Sequence, residues 1–257
     1  MLLGLKLWST NRQYVEPARD LFAQKVYDYI ELFVVPESEK HCQMWEDLNI
    51  PFLLHAPHEM AGCNLACADA AEKNRDLIAH VAFYHARLTP EYTIFHPGMD
   101  GDIGETIRQL NDLRTEYPRI FESALIENIP RVGLGGEHGV GASPEEIRRI
   151  IDETNVGLCL DIGHALCYAA ADRREPLAVL DEFYQLTPQV LHISDGTLGA
   201  TSDSHLHLGE GSYPLAEIFA RMACTPEMIS IETGKSDPEK LDDFISDTRT
   251  LREWLHV

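Results

Sequence analysis

Basic residues are scarce in this chain. Lys and Arg number 21 against 42 Asp and Glu, a formal charge of −21 at pH 7. Such a field repels a polyanion unless basic loops or bound metal reverse it locally, so nucleic acid is a disfavoured partner, though not an excluded one. The six cysteines (Cys42, Cys63, Cys67, Cys159, Cys167 and Cys224) include no CxxC pair. In a chain able to bury a large core they read as buried thiols rather than disulfide staples. The first ten residues, MLLGLKLWST, lack the basic start, apolar core and small-residue cleavage site of a leader, and no 18-residue apolar run occurs anywhere. The expectation is a soluble, cytoplasmic protein. Linkers, low-complexity tracts and residue-level repeats are missing too, which predicts one domain spanning 1–257.

What is present is a rhythm. Eight short apolar runs (LLGLKLW, YIELFVV, PFLLHAP, YTIFHPG, SALIENI, VGLCLDIGH, VLHISD and MISIET) alternate with longer amphipathic stretches. Helices are predicted over 68–87, 103–116, 144–153, 176–185, 214–222 and 238–254. Ser143-Pro144-Glu145-Glu146 is a helix start with its cap, first-turn proline and acids in place, and Asp237-Pro238-Glu239 repeats the scheme. Strand and helix alternating eight times describe either a parallel barrel or a doubly wound sheet. The 257 residues match the roughly 250 of a single (β/α)₈ TIM barrel, the α/β fold expected here.

In such a barrel, residues at the C-terminal ends of the strands converge on the active face. His55, His96, Glu127, Asp161, His192 and Glu232 end six consecutive strands, with His164 just beyond the sixth and Asp203 and His205 in the seventh loop. One polar residue at a strand end is usually a cap or a locally satisfied group. Six in succession are different, because unpaired carboxylates flanked by apolar residues cost several kcal/mol each unless a cation or donors meet them. A shared site for divalent metal satisfies all of them, and oxygen and nitrogen donors without cysteine suit Zn²⁺, Mn²⁺ or Fe²⁺.

At these residues the chain resembles the xylose isomerase-like TIM barrel superfamily, which includes sugar isomerases and epimerases and the endonuclease IV family, also called AP endonuclease family 2. The matching segments are FHPG (His96), IEN (Glu127), DIGHA (Asp161, His164), HISD (His192), DSHLHLGEG (Asp203, His205) and ET (Glu232), with His55 in LHAPH. The endonuclease resemblance implies three metals: one on His55, His96 and Glu127, one on Glu127, Asp161, His192 and Glu232, and one on His164, Asp203 and His205. The epimerase resemblance implies a single metal on Glu127, Asp161, His192 and Glu232, with the two glutamates moving protons. One to three ions are therefore expected.

Departures from the endonuclease pattern fall on what would touch DNA. The loop after the second strand, VVPESEKHCQMW, has no arginine; His58 stands where those enzymes tend to have tyrosine; and GLKLWST replaces their His-Val-Ser. The reading is accordingly a metal-dependent isomerase or epimerase of a small sugar, polyol or sugar phosphate, with Glu127 and Glu232 catalytic. The alternative is an endonuclease IV-like hydrolase of phosphodiesters or phosphomonoesters. Candidate substrate contacts are Trp8, which either stacks on a sugar or packs against a loop, His58, and His164 in addition to its ligand role. Glu210 reads either as a group hydrogen-bonded behind a metal ligand or as a solvated loop acid. Arg131 and His138 lie in the glycine-rich loop at 131–143 and read either as contacts to an anionic group or, in preference, as solvated loop residues. A carbohydrate or phosphorylated small molecule is the expected partner, with no membrane, and a monomer or homodimer as the assembly.

Overall fold

The computed structural model describes residues 1–221 and 226–255. Eight strands close in sequence order into a parallel barrel: β1 Leu2–Trp8, β2 Tyr29–Phe33, β3 Phe52–His55, β4 Thr93–Phe95, β5 Ala124–Glu127, β6 Gly157–Asp161, β7 Val190–Ile193 and β8 Met228–Ile231. The helices are α1 Val15–Ala23, α2 Cys42–Glu46, α3 Ala71–Leu88, α4 Ile103–Glu116, α5 Pro144–Thr154, α6 Ile162–Ala171, α7 Pro176–Tyr184, α8 Leu215–Arg221 and α9 Asp242–Leu255. The expected TIM barrel is thus the observed architecture. Among the described residues no helix is long and apolar enough to cross a membrane, and Cys42, Cys63, Cys67, Cys159 and Cys167 are free thiols; Cys224 lies outside the described residues.

The strands read as apolar runs because both of their faces are covered. Leu54, Phe95, Ile126, Leu158, Leu160, Leu191 and Ile231 face outward into one large core with the helices. Tyr29, Leu53, Ile94, Leu125, Cys159, Val190 and Met228 form a separate cluster that plugs the barrel interior. Gly4 belongs to this layer: a Cβ there would stand 2.4 Å from the Tyr29 ring, so the missing side chain on β1 makes room for the tyrosine on β2.

Caps mark the helix starts. Ser143 Oγ accepts from the Glu146 amide at 3.1 Å while Glu146 returns a carboxylate to the Ser143 amide at 2.9 Å, a complete capping box ahead of α5. Three predicted helices need correction. Residues 68–70 form a separate 3₁₀ turn before α3. The 214–222 helix is Leu215–Arg221, and Met222 lies outside the described residues. Asp237 accepts from the amides of Glu239 and Lys240, but it closes only a turn, and α9 begins at Asp242.

Replacing Ser143 with Ala should remove the cap and destabilise the fold by roughly 0.5–2 kcal/mol, readable as a lowered midpoint in urea denaturation with an unchanged slope.

Candidate metal centre

Because side chains alternate along a strand, the residue two places beyond each plug residue enters the barrel one layer higher. That step leads from Leu53 to His55, Ile94 to His96, Leu125 to Glu127, Cys159 to Asp161 and Val190 to His192, and on β8 two such steps lead from Met228 through Ser230 to Glu232. On β1 and β2 the same step leads from Gly4 to Lys6 and from Tyr29 to Glu31, which are neighbours across the sheet. An apolar floor therefore carries a layer of titratable groups, and all six predicted strand-end residues are in it.

The donors fall into three overlapping groups of close approach: His55, His96 and Glu127; Glu127, Asp161, His192 and Glu232; and His164, Asp203 and His205. Glu127 Oε2 lies 3.1 Å from His55 Nε2, 3.3 Å from His96 Nε2 and 3.2 Å from His192 Nδ1, and His192 Nδ1 lies 3.0 Å from Glu232 Oε1. Asp203 Oδ2 lies 3.2 Å from His205 Nε2 and 3.7 Å from His164 Nε2.

The far side of four of the five imidazoles is hydrogen-bonded from behind. His55 Nδ1 bonds to the Ala56 carbonyl at 2.9 Å, His164 Nδ1 to the Asn128 carbonyl at 2.9 Å and His205 Nδ1 to the Glu232 carbonyl at 3.0 Å. His192 Nε2 bonds to Glu31 Oε2 at 2.9 Å, and His96 Nδ1 faces Glu59 Oε2 at 3.4 Å. Except in His96, whose Nδ1 is buried without a hydrogen bond, each ring thus has one nitrogen anchored and the other aimed at the carboxylates, the arrangement that orients histidine for a cation. Asp161 divides its oxygens in the same way: Oδ1 caps α6 through the His164 amide at 2.6 Å, while Oδ2 is buried without a partner. His192 Nδ1, Asp203 Oδ2 and Glu232 Oε1 are likewise buried and unbonded. Unbonded oxygens and nitrogens converging in this manner fit a divalent cation.

Without one, protons take its place. Burial opposes charge on His96, yet Glu127 and Glu59 raise its pKa to about 9. Burial likewise opposes charge on His192, whose pKa is nevertheless raised, the Glu31 and Glu127 carboxylates favouring its charged form. Burial disfavours the Glu127 carboxylate, but His192 and His96 hold it well below the usual range. Burial, with Asp203 and Glu127 nearby, pushes Asp161 up.

The layer opens into a cavity of about 940 Å³ at the C-terminal ends of the strands. Trp8 lines it, 55% exposed, with its ring 5.8 Å from Phe33. His58 stacks on His96 with centroids 4.8 Å apart, its pKa lowered by burial and by His96 to about 2. His164 also lines the cavity. Glu210 corrects the expectation: its side chain is exposed and, among the described contacts, hydrogen-bonds no residue of the cluster. The LGEG segment is anchored instead by Asp195, which accepts from the amides of Gly209 and Tyr213. Arg131 pairs with Glu146 at 3.2 Å and lies over the Tyr168 ring, and His138 is exposed.

Support behind the candidate donors comes from residues that strand-end reasoning overlooked. Glu31, fully buried, accepts from Ser230 Oγ at 2.5 Å as well as from His192, and pairs with Lys6 Nζ at 3.2 Å. Lys6 also pairs with Glu232. Asp247, from α9, holds Thr233 Oγ1 at 2.6 Å, His207 Nδ1 at 2.9 Å and the Leu208 amide at 2.9 Å. A charged residue two places beyond Tyr29, inside an otherwise apolar run, was the available signal for Glu31.

Residues 20–254 match the family model described as xylose isomerase-like TIM barrel. The chain belongs to that family. Endonuclease 4 of Thermus thermophilus is 28% identical over 215 residues, covering 80% of this chain and 76% of the relative. The crystal structure of a Thermus thermophilus endonuclease IV superposes with a TM-score of 0.75 at 23% identity over 100% of this chain and 99% of the other. That of a D-tagatose 3-epimerase-like protein gives 0.72 at 18% identity, covering 100% and 97%. These two likenesses are of fold.

Glu31→Gln should loosen the hold on His192 and weaken divalent-metal affinity about 10–100-fold, measured by competition with a chromophoric chelator. Affinity should also rise with pH, since the elevated pKa values keep protons on His96 and His192 through neutrality and a metal must displace them. An affinity identical at pH 6 and pH 8 would contradict this assignment of the protons.

Proposed function

We propose that the chain is a divalent-metal-dependent hydrolase of phosphate esters acting on a small substrate rather than on duplex DNA. The observation that carries this reading is the completeness of all three donor groups. A one-metal isomerase needs only Glu127, Asp161, His192 and Glu232, and leaves unexplained why His55 and His96 close on Glu127 and why His164, Asp203 and His205 form a third group, with the outer nitrogens of His55, His164 and His205 anchored. The order of preference drawn from sequence, isomerase before hydrolase, is reversed on this ground. Relatives named endonuclease 4 are in keeping with it.

Zn²⁺, Mn²⁺ or Fe²⁺ suits these donors and, when bound, supplies acidified water and neutralises charge on a phosphoryl group. Within the chain, Glu127 is shared between two donor groups, so it fixes their separation. Asp203 draws His164 and His205 together. Trp8, Phe33 and Tyr14 give the wall apolar surface for the body of a small molecule.

The same wall argues against a duplex. Glu59, Asp100 and Glu137 line it, and among the described residues Lys6 and Lys235 are its only lysines, with no arginine. Phosphate-backbone contacts dominate duplex affinity, and this surface offers almost none.

An isomerase or epimerase is the second reading, favoured by one feature: Glu127 and Glu232 both face the cavity with His192 Nδ1 between them at 3.2 and 3.0 Å, as two proton-transferring carboxylates would require.

Metal-loaded protein should hydrolyse p-nitrophenyl phosphate or its bis ester and lose that activity on chelation. Glu127→Gln and His205→Ala should each lower kcat by about 100-fold or more. If a broad panel of phosphate esters stays intact while solvent deuterium washes into a keto sugar, the isomerase reading replaces this one.

A further inference from the structure

The cavity wall carries two ammonium groups in unequal circumstances. Lys6 is neutralised by Glu31 and Glu232. Lys235, in the loop between β8 and α9, lines the same cavity partly buried, and its Nζ donates to the Thr233 carbonyl at 2.7 Å. Among the described residues no carboxylate comes within ion-pair distance of it. The acids in its surroundings are engaged elsewhere. Asp247 is used by Thr233, His207 and the Leu208 amide, and Asp243 by the Ser236 amide at 2.8 Å and its hydroxyl at 2.5 Å.

In a chain with 42 acidic residues against 21 basic ones, a half-buried cation without a counterion is an anomaly, and burial without a partner costs free energy. Burial lowers its pKa to about 8, the direction expected for a desolvated ammonium. There is room beside it, since a Cβ on the adjacent Gly234 would meet nothing within 4 Å. Tyr14 Oη donates to the Asp237 carbonyl at 2.7 Å. That bond ties the loop after β1 to the loop after β8, so that Asn11 and Gln13 join the wall near the Lys235 segment. The loops after the last two strands of this fold are also where many barrels receive phosphate.

We propose that Lys235 docks a second anionic group of the substrate, a carboxylate or phosphate borne by the small molecule whose reacting group meets the histidine and carboxylate cluster. The identity of the reacting group rests on the hydrolase reading; the docking of the distal oxyanion does not. Lys235 then sets specificity, because a substrate with one anion leaves the ammonium unpaired and a substrate with two supplies its counterion.

Calorimetric titration of metal-loaded full-length protein with 6-phosphogluconate, fructose 1,6-bisphosphate and glucose 6-phosphate tests this. At least one of the two-anion sugars should bind about tenfold tighter than glucose 6-phosphate. A gain confined to 6-phosphogluconate identifies a carboxylate as the distal group, and one confined to the bisphosphate identifies a phosphate. Lys235→Met should abolish the preference while leaving metal content and glucose 6-phosphate binding unchanged, and Lys235→Arg should restore most of it. The melting temperature of Lys235→Met should stay level or rise, as expected when an unpaired buried charge is removed. A preference that survives in Lys235→Met overturns the proposal, and so does a wild type that binds neither two-anion sugar or shows no preference. A fall in melting temperature with unchanged ligand ratios assigns Lys235 a structural role and overturns it as well. Failure to hydrolyse any phosphate ester, with the Lys235-dependent preference intact, would remove the hydrolase reading and leave the docking site standing.

Discussion

Glu31, Glu127, Asp161, Asp203 and Glu232 crowd the mouth of one barrel with little or no exposure to solvent, and everything else about this face follows from the need to neutralise them. Like charges at this spacing in a poorly solvated interior repel by several kcal/mol. Five imidazoles and the Lys6 ammonium surround them. Those histidines can serve protons or metal because their outer nitrogens are engaged by Ala56, Asn128, Glu232 and Glu31 or face Glu59. The apolar plug beneath, from Tyr29 to Met228, keeps water from relieving the repulsion from below.

The strands were legible because burial on both faces leaves continuous apolar runs, and the barrel because eight such runs alternate with capped helices in a chain of the right length. The layer of candidate metal donors was legible on β3 to β8, where it coincides with strand ends. It was not legible on β1 and β2, where the same layer falls inside the strand: Lys6 is followed by two more β1 residues and Glu31 by two more on β2. A period-two reading from Tyr29 or Gly4 would have found both. Glu210 had two readings because LGEG neighbours the loop of Asp203 and His205 in sequence; Asp195 holds that segment by its backbone amides and leaves the side chain in solvent. Asp237 misled because an aspartate followed by proline caps an isolated turn as readily as a helix. Asp247 had no local signal, being brought to Thr233 and His207 only when α9 docks.

One donor set can support two chemistries, and fold does not choose between them. Four residues suffice for a single cation flanked by glutamates, and nine converge. The wall above the cluster separates a long polyanion from a small molecule more sharply than the cluster does, since acids, two lysines and apolar surface take the place of a basic track.

That acidic rim also imposes an order of arrival. Glu59, Asp100 and Glu137 around the opening, backed by the net negative field of the whole chain, concentrate cations at the entrance and deplete anions there. By charge, then, the opening favours a cation over an anion, and a phosphorylated substrate of the kind proposed would enter more readily once a cation had bound.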